Sequence, residues 1–353
     1  MPGLEIVNVV YGDKFTEFFT EISLASQLSA RNIPALSAPT RTTYHIYTTK
    51  TDAEAIRRSG AFKKLQCLIN TNIVTFPTDD IRDQAYRKQN KSSVWDVLCD
   101  SHRHAIQNVT NDHIVFLAPD WVIADGTFQN IEKRLHEGYK TVVISGPRIE
   151  WETSFSYFQG LVDAQHVLTA TGRMLVDAVL KYKPPIMDAF MFGPEWQADV
   201  FKSSWPSILI WQDENIGFIS HSGHLHPIAV NRSHVNSNFK GTIDSDLLNT
   251  FEPGSDEIYF AQDSDEICIA DISARERAIE TVLSEPRGVF FMAEWLAVHL
   301  GGQINRWFLE KPFVFRSSRC IDALVKRRCM DTAVHTLNLL VISDILHKQL
   351  ADH

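Results

Sequence analysis

The 353-residue chain has no apolar run approaching the length that spans a bilayer, and its opening residues, MPGLEIVNVVYGDKF, lack a basic segment followed by a long apolar core. Neither export nor a membrane span is expected, and a cytoplasmic location is. Cysteine is scarce: Cys67, Cys99, Cys268, Cys320 and Cys329 are odd in number, scattered and never paired as CxxC. That argues against a disulfide framework or a zinc ribbon and fits a reducing compartment. Positive charge is in deficit, with 34 Lys and Arg against 43 Asp and Glu and a net charge of −9. A general nucleic-acid binder needs a basic surface to displace counterions, so none is expected; a local basic pocket for one anionic ligand stays open. There is no internal repeat and no low-complexity tract. A composition 44% hydrophobic and 22% charged is that of an ordinary globular protein, which excludes disorder. The length exceeds what one core usually supports, so the chain can form one large domain with a C-terminal elaboration or two domains sharing a cleft.

What is present centres on His113 to Phe128, HIVFLAPDWVIADGTF. Ile114 to Leu117 is a continuous apolar run leading into Pro119-Asp120, and a helical pattern resumes after Gly126. Strands covered by helices on both faces read as such runs, and in open α/β sheets ligands bind beyond the carboxyl ends of the strands. Asp120 therefore stands where a ligand would. Upstream, Glu5 to Tyr11 reads as a strand, Phe15 to Leu28 as a helix, Thr43 to Thr48 as a second strand, and Asp52 as the cap of a helix from Ala53. Val74 to Phe76 reads as a third strand. A helix capped by Ser92 or Ser93 then runs to about Val109, and Gln129 to Glu137 and Thr141 to Ser145 read as a helix and a strand. This alternation predicts an α/β fold with a Rossmann-like, mostly parallel sheet flanked by helices over residues 1–147.

Beyond Pro147 the pattern changes to a mixed, largely helical α+β part. Phe155 to Leu180 reads as helical, Pro184-Pro185 breaks it, and Ser207 to His226 holds short strand-like pieces. The expected division is 1–147, then 148–273 completing the active site, then a helical region 274–353 interrupted near Gly301-Gly302 and Pro312. A terminal helix would carry Ile321, Leu324, Val325, Leu337, Leu340 and Leu346.

The order of these features resembles the GT-A class of nucleotide-sugar glycosyltransferases over roughly the first 150 residues. EIVNVVYGDKFTEFFTEISLASQL looks like its first strand and helix, YHIYTTKTDAEAI like its second unit, and HRHAIQNVTNDHIVFLAPDWV like the helix and strand that lead to its Asp-x-Asp motif. Here Ala118 replaces the first acidic residue and Thr48-Thr49 stand where many members carry an Asp that reads the base. The resemblance implies a nucleotide-sugar donor held by Tyr11, Thr48, Arg82, His102 and Asp120, a divalent Mn2+ or Mg2+ ion, and a glycan, lipid-linked or protein acceptor on the C-terminal side.

The residues themselves suggest further candidates. His221, His224 and His226 form the densest histidine cluster, and His224-x-His226 on a strand sends both imidazoles to one face. With Asp120 they make the expected metal set; His226, Asp246 and Asp213 are the expected reacting groups, with Glu214 a further candidate base. Structural alternatives stand beside each: Asp120 and Asp125 as caps of turns, the histidines as satisfied core residues, Asp244 and Asp246 as a helix start after Thr242, and Arg82, Tyr86 and Lys88 as a solvated loop. Asp263 to Glu266 reads as a surface turn. The run Lys326-Arg327-Arg328 on an amphipathic helix suits either a solvated face or contact with an anionic membrane surface. The same His and Asp residues would also serve a metal-dependent phosphoester or diphosphate hydrolase, and the missing first Asp suits a non-catalytic ligand-binding protein.

Overall fold

The computed structural model describes residues 3–80, 94–192, 201–203, 207–235, 239, 241–274, 282–299 and 303–351. Within these, strands β1 (Leu4–Val9), β2 (Thr43–Thr48), β3 (Asn70–Thr75), β4 (His113–Leu117), β5 (Trp121–Ile123), β6 (Thr141–Ile144) and β7 (Arg148–Glu150) come from the first half of the chain. Strands β8 (Met191–Phe192), β9 (Phe201–Ser203), β10 (Ile208–Asp213), β11 (Gly217–Ser222), β12 (His226–Asn231), β13 (Ile258–Phe260), β14 (Ile269–Ser273), β15 (Val282–Arg287) and β16 (Pro312–Arg316) follow.

A seven-stranded sheet in the order β13-β6-β12-β4-β1-β2-β3 is the frame. Its pairings are parallel except at β12, which lies antiparallel between β4 and β6. The α/β class and the mostly parallel sheet flanked by helices are as expected. All five strands anticipated in the first 147 residues lie in it, and Val10 and Phe76 extend the ladder by bonding to Tyr47 and Thr48. Two of its strands, β12 and β13, come from beyond residue 147. The inner strands are buried on both sides, which is why β4 and β6 read as almost continuous apolar runs. Ile6, Tyr44, Ile46 and Val115 pack with Phe19, Phe62 and Phe128 on one face. Val7, Val9, Tyr47 and Phe116 pack with Ala105, Ile106 and Leu247 on the other. Each such aliphatic side chain contributes roughly 1.5–3 kcal/mol by leaving water.

The remaining strands form smaller sheets: β16-β11-β10-β8, β5-β14-β7 and β15-β9. The largest apolar cluster joins these to the C-terminal helices through Phe158, Phe218, Phe308, Phe313, Leu339 and Leu340.

Several local expectations are corrected. Strand β3 begins at Asn70 rather than Val74, because an edge strand tolerates the polar, partly exposed NTNIVT pattern. The second helix starts at Lys50, capped by Thr49, whose hydroxyl accepts the Asp52 N–H at 3.1 Å. The helix expected over 155–180 is two helices, Trp151–Gln159 and Gly172–Lys181. Between them Asp163 accepts the N–H groups of Gln165 and Val167, turning the chain, and Thr171 caps the second helix. Pro312 opens strand β16 instead of merely interrupting helices.

Candidate functional site at the carboxyl end of the sheet

The strand order reverses at β1. The chain steps outward from β1 to β2 to β3, then returns to place β4 on the other side of β1. Loops leaving β1 and β4 at their carboxyl ends must part in opposite directions, which opens the crevice where α/β sheets bind ligands. Tyr11-Gly12 leaves one strand and Ala118-Pro119-Asp120 the other.

The first loop is held from below. Gly12 adopts φ +87, which an L side chain rarely does, and its N–H donates to Asp52 Oδ2 at 3.0 Å. The same carboxylate oxygen accepts the Thr49 hydroxyl at 2.6 Å, so Asp52 ties the β1 loop to the helix after β2. Asp79, in the loop after β3, accepts the N–H of Lys50 at 2.7 Å and the Thr51 hydroxyl at 2.7 Å. The Tyr11 ring stands edge-on to Phe76 at 5.9 Å. Thr48 reaches the carboxyl end of β2 but is fully buried, with a hydroxyl that has no hydrogen-bond partner.

Asp120 lies at the hinge between two sheets, after β4 and before β5. Its carbonyl accepts the N–H of Ile272 at 3.0 Å, which fixes the backbone of this turn. Next to it, the Trp121 ring meets the His226 ring edge-on, 4.6 Å between centroids. Antiparallel pairing of Ala229–Asn231 with His113–Val115 runs His226 toward the carboxyl end of β4. Burial lowers the pKa of His226 to about 4, opposed by a hydrogen bond to the Phe116 backbone. Its Nε2 is buried without a partner, so the ring's bond to Phe116 is made through Nδ1.

His102 joins this pair from the Val94–Asn108 helix. Its ring packs edge-on against Phe116 at 4.9 Å. Burial, reinforced by His226, lowers its pKa to about 3. Neither His102 nitrogen has a hydrogen-bond partner. An orphaned buried polar group costs about 1–3 kcal/mol, and here His102 and His226 leave three such nitrogens side by side at the end of one strand.

The segment around residue 244 borders this cluster. Burial lowers the pKa of His224, opposed by the charge of Asp244. Burial raises that of Cys99, with Asp244 adding to the shift. Asp246 is exposed, and its Oδ2 accepts both the N–H and the hydroxyl of Thr242, at 2.9 and 3.0 Å. That is the helix-start geometry weighed above as its structural alternative.

Other candidates lie apart. Asp213 closes the β10–β11 hairpin, accepting the Asn215 N–H at 2.9 Å, and pairs with Arg328 at 2.9 Å, clamping the terminal helix. His221 is a core histidine: Nδ1 bonds the Leu309 carbonyl at 2.7 Å and Nε2 lies 3.1 Å from Thr332 Oγ1. Asp125 accepts the Arg31 N–H at 2.8 Å. The helix after Gly126 is capped instead by Asn32, whose Oδ1 accepts the N–H groups of Gly126 and Phe128. Arg103 is held by Asp100 and the Phe239 carbonyl. Arg82, Tyr86 and Lys88 lie outside the described residues, as does Gly301-Gly302.

A divalent ion would need ligands that converge. Among the described residues no group of three His, Cys, Asp or Glu side chains is placed to hold one. The expected set of Asp120, His224 and His226 does not assemble, because His226 is half-buried against Trp121 and turned to the Phe116 backbone. Reading the sequence named Asp52 only as a helix cap, not as the tie to the Gly12 loop, and it missed Asp79 and Trp121. Only Asp52 left a signal, the Thr49-x-x-Asp52 spacing of a helix start.

No protein-family model and no curated protein matches the chain. Among solved structures, S. aureus TarS aligns over 88% of this chain and 43% of its own, at 10% identity and a TM-score of 0.39. TarS 1-349 in complex with UDP aligns over 87% and 70%, at 11% identity and 0.37. A putative glucose-1-phosphate thymidylyltransferase from Bacillus anthracis aligns over 42% and 55%, at 12% identity and 0.25. The chain thus spans less than half the length of the first of these, and likenesses this loose do not place it in a family.

Proposed function

We propose that this chain is a glycosyltransferase: it binds a nucleotide sugar in the crevice between β1 and β4 and transfers the sugar to a glycan, lipid-linked or protein acceptor. The observation that carries the reading is the reversal of strand order at β1, with Asp120 beyond the adjoining strand end and the buried, unpartnered nitrogens of His102 and Nε2 of half-buried His226 near it. A crevice at that point suits a nucleotide, and buried polar groups without partners are what a ligand-binding site leaves when empty of its hydrogen-bonding guest.

The roles follow from the chemistry. Tyr11 and the Gly12 loop flank the nucleotide, and Asp120 would bind ribose or sugar hydroxyls, or contribute one carboxylate to a divalent ion that would neutralise the diphosphate charge. His226, with a pKa of about 4, stays neutral near pH 7 and is a weak general base; its bare Nε2 is suited to accept a hydrogen bond from a hydroxyl. The acceptor would enter from the side of His224 and Asp244.

Thermal shift against UDP-, GDP- and CMP-linked sugars, with and without Mn2+ or Mg2+, tests this. A ligand present at about 100 times its Kd adds about 2.7 kcal/mol of stability. Stabilisation by one nucleotide class, lost in Asp120→Asn, supports the reading. Turnover of a diphosphate without acceptor would replace it with a metal-dependent hydrolase, and binding without any turnover with a non-catalytic ligand-binding protein. A metal requirement that disappears in Asp120→Asn would assign this carboxylate to the ion.

A further inference from the structure

The terminal helix, Asp322–Ala351, has two apolar sides, and the fold uses only one. At about 100° per residue, Val325, Thr332, Thr336, Leu339, Leu340 and Ser343 project to one side, and all are buried. This side is fastened by Arg328 to Asp213, by Thr332 to His221, and at its far end by His347 to the Ala297 carbonyl, while Arg306 holds Asp344 at the margin of the other side. Met330, Val334, Leu337, Val341 and Ile345 lie roughly opposite, following the i, i+3, i+4 spacing of a single stripe. They are 47–62% exposed. The stripe extends for about 22 Å. A solvated helix face should carry polar residues there, and a continuous exposed apolar stripe marks an interaction surface.

The charges at its ends identify the partner. Lys326 and Arg327 fall on either side of the stripe's axis one turn before Met330, and Lys348 falls on the axis after Ile345; all three are exposed. The nearest acids are engaged: Asp344 by Arg306 at 2.8 Å, and Asp331 at 3.8 Å from Arg328. A second copy laid on this face would set cations against cations, since Lys326 and Arg327 would meet Lys348 in an antiparallel pair and their own equivalents in a parallel one. An apolar stripe with cations at both ends matches instead an anionic bilayer, whose acyl region takes the stripe and whose headgroups take the cations.

We propose that the terminal helix docks the protein flat on an anionic lipid membrane through this stripe. Although Asp331 and Asp344 break any continuous apolar run, the helix is long enough and on average apolar enough to cross a membrane. Its clamped inner face nevertheless holds it parallel to the protein surface, so it lies in the interface. The inference is independent of the nucleotide-sugar reading.

The test is co-sedimentation of the full chain with vesicles of phosphatidylcholine alone and with added phosphatidylglycerol, at low and high salt. Binding to the anionic vesicles only, weakening with salt, is expected. Lys326→Gln with Arg327→Gln should weaken it roughly thirtyfold, and Val334→Asp with Val341→Asp should abolish it. All four positions are exposed, so circular dichroism should be unchanged; if the aspartate variant fails to fold, Met330→Gln supplies the apolar arm. No binding to anionic vesicles, binding indifferent to lipid charge, or a lipid-free dimer that Met330→Gln dissociates in light scattering would each overturn the proposal.

Discussion

The two ends of the large sheet are built on opposite plans. At the amino end, Glu5 is buried in β1, and its carboxylate accepts five hydrogen bonds: from the N–H and side chain of both Thr110 and Asn111, and from His45 at 2.7 Å. At the carboxyl end, His102, His226 and Thr48 are held with polar atoms that bond nothing. One end spends a buried charge on closing the fold, and the donors around that carboxylate are paired, though Thr141 Oγ1 on the same edge is buried without a partner. The other leaves them open, which lowers stability and is the pattern expected where a ligand completes the site.

The largest effect should come from removing the balanced group. Burial alone would raise the pKa of Glu5, but bonds from His45, Asn111 and Thr110 outweigh it and hold it below the usual carboxylate range. A lowered carboxylate pKa stabilises the fold above the unfolded value, and the contribution is lost as pH falls through the folded one. Glu5→Ala should cost about 3 kcal/mol near pH 7 by stranding its donors, measured by urea unfolding. The cost should shrink at acid pH. An unchanged midpoint would end the contrast between the ends.

At the open end, Asp120→Asn should weaken donor binding at least about tenfold, near 1.4 kcal/mol, while leaving the ligand-free midpoint within error. Calorimetric titration of both proteins measures it, and equal affinities would remove Asp120 from the site.

A smaller effect of opposite sign is expected from His102→Leu. Removing two unpartnered nitrogens from an apolar setting should stabilise the ligand-free protein by about 1 kcal/mol and still impair donor binding. The pH profile checks the cause. With folded pKa values of about 3 and 4 against 6.5 when unfolded, His102 and His226 leave the unfolded chain binding more protons as pH drops below 6.5. Stability is then full above pH 6.5 and falls on acidification toward pH 4. The variant should lose part of that slope; the full slope with a lower midpoint would mean that His102 serves packing.

How far the chain could be read varies with what each segment reveals locally. The Ile114–Leu117 run announces a buried strand through its apolar continuity, and Val7 to Val10 and Thr43–Thr48 announce strands through β-branched and aromatic residues, both of which are local properties. Placing β12 between β4 and β6 was not legible, since HPIAVN reveals a strand but not its neighbours, and pairing across 82 to 118 residues leaves no local trace. The same limit hid the site's partners. His226 was visible as half of an HxH pair, but its contacts are with Trp121, Phe116 and His102, three residues brought by other elements. His221, from the same histidine-rich stretch, turned out to bond Leu309 and Thr332 in the core. Nearness along the chain therefore grouped histidines that the fold separates.

Asp246 gives the finest test of where the reacting end stops. It sits at the first turn of the short Ser245–Leu248 helix, and its carboxylate is occupied by Thr242. If it only fixes this turn, Asp246→Asn retains an oxygen able to accept the same bonds, and the loss should be below about 0.5 kcal/mol with turnover unchanged. A general base cannot survive that replacement, because an amide accepts no proton, and rate losses of about a hundredfold or more accompany its removal. Comparing kcat and the unfolding midpoint for Asp246→Asn and Thr242→Ala separates the two. The threonine change removes the hydroxyl bond, keeps the backbone N–H bond and spares the carboxylate. Loss of turnover in the asparagine variant alone would extend the reacting end to this segment; small, matching losses of stability in both would confine it to the strand ends around Asp120 and His226.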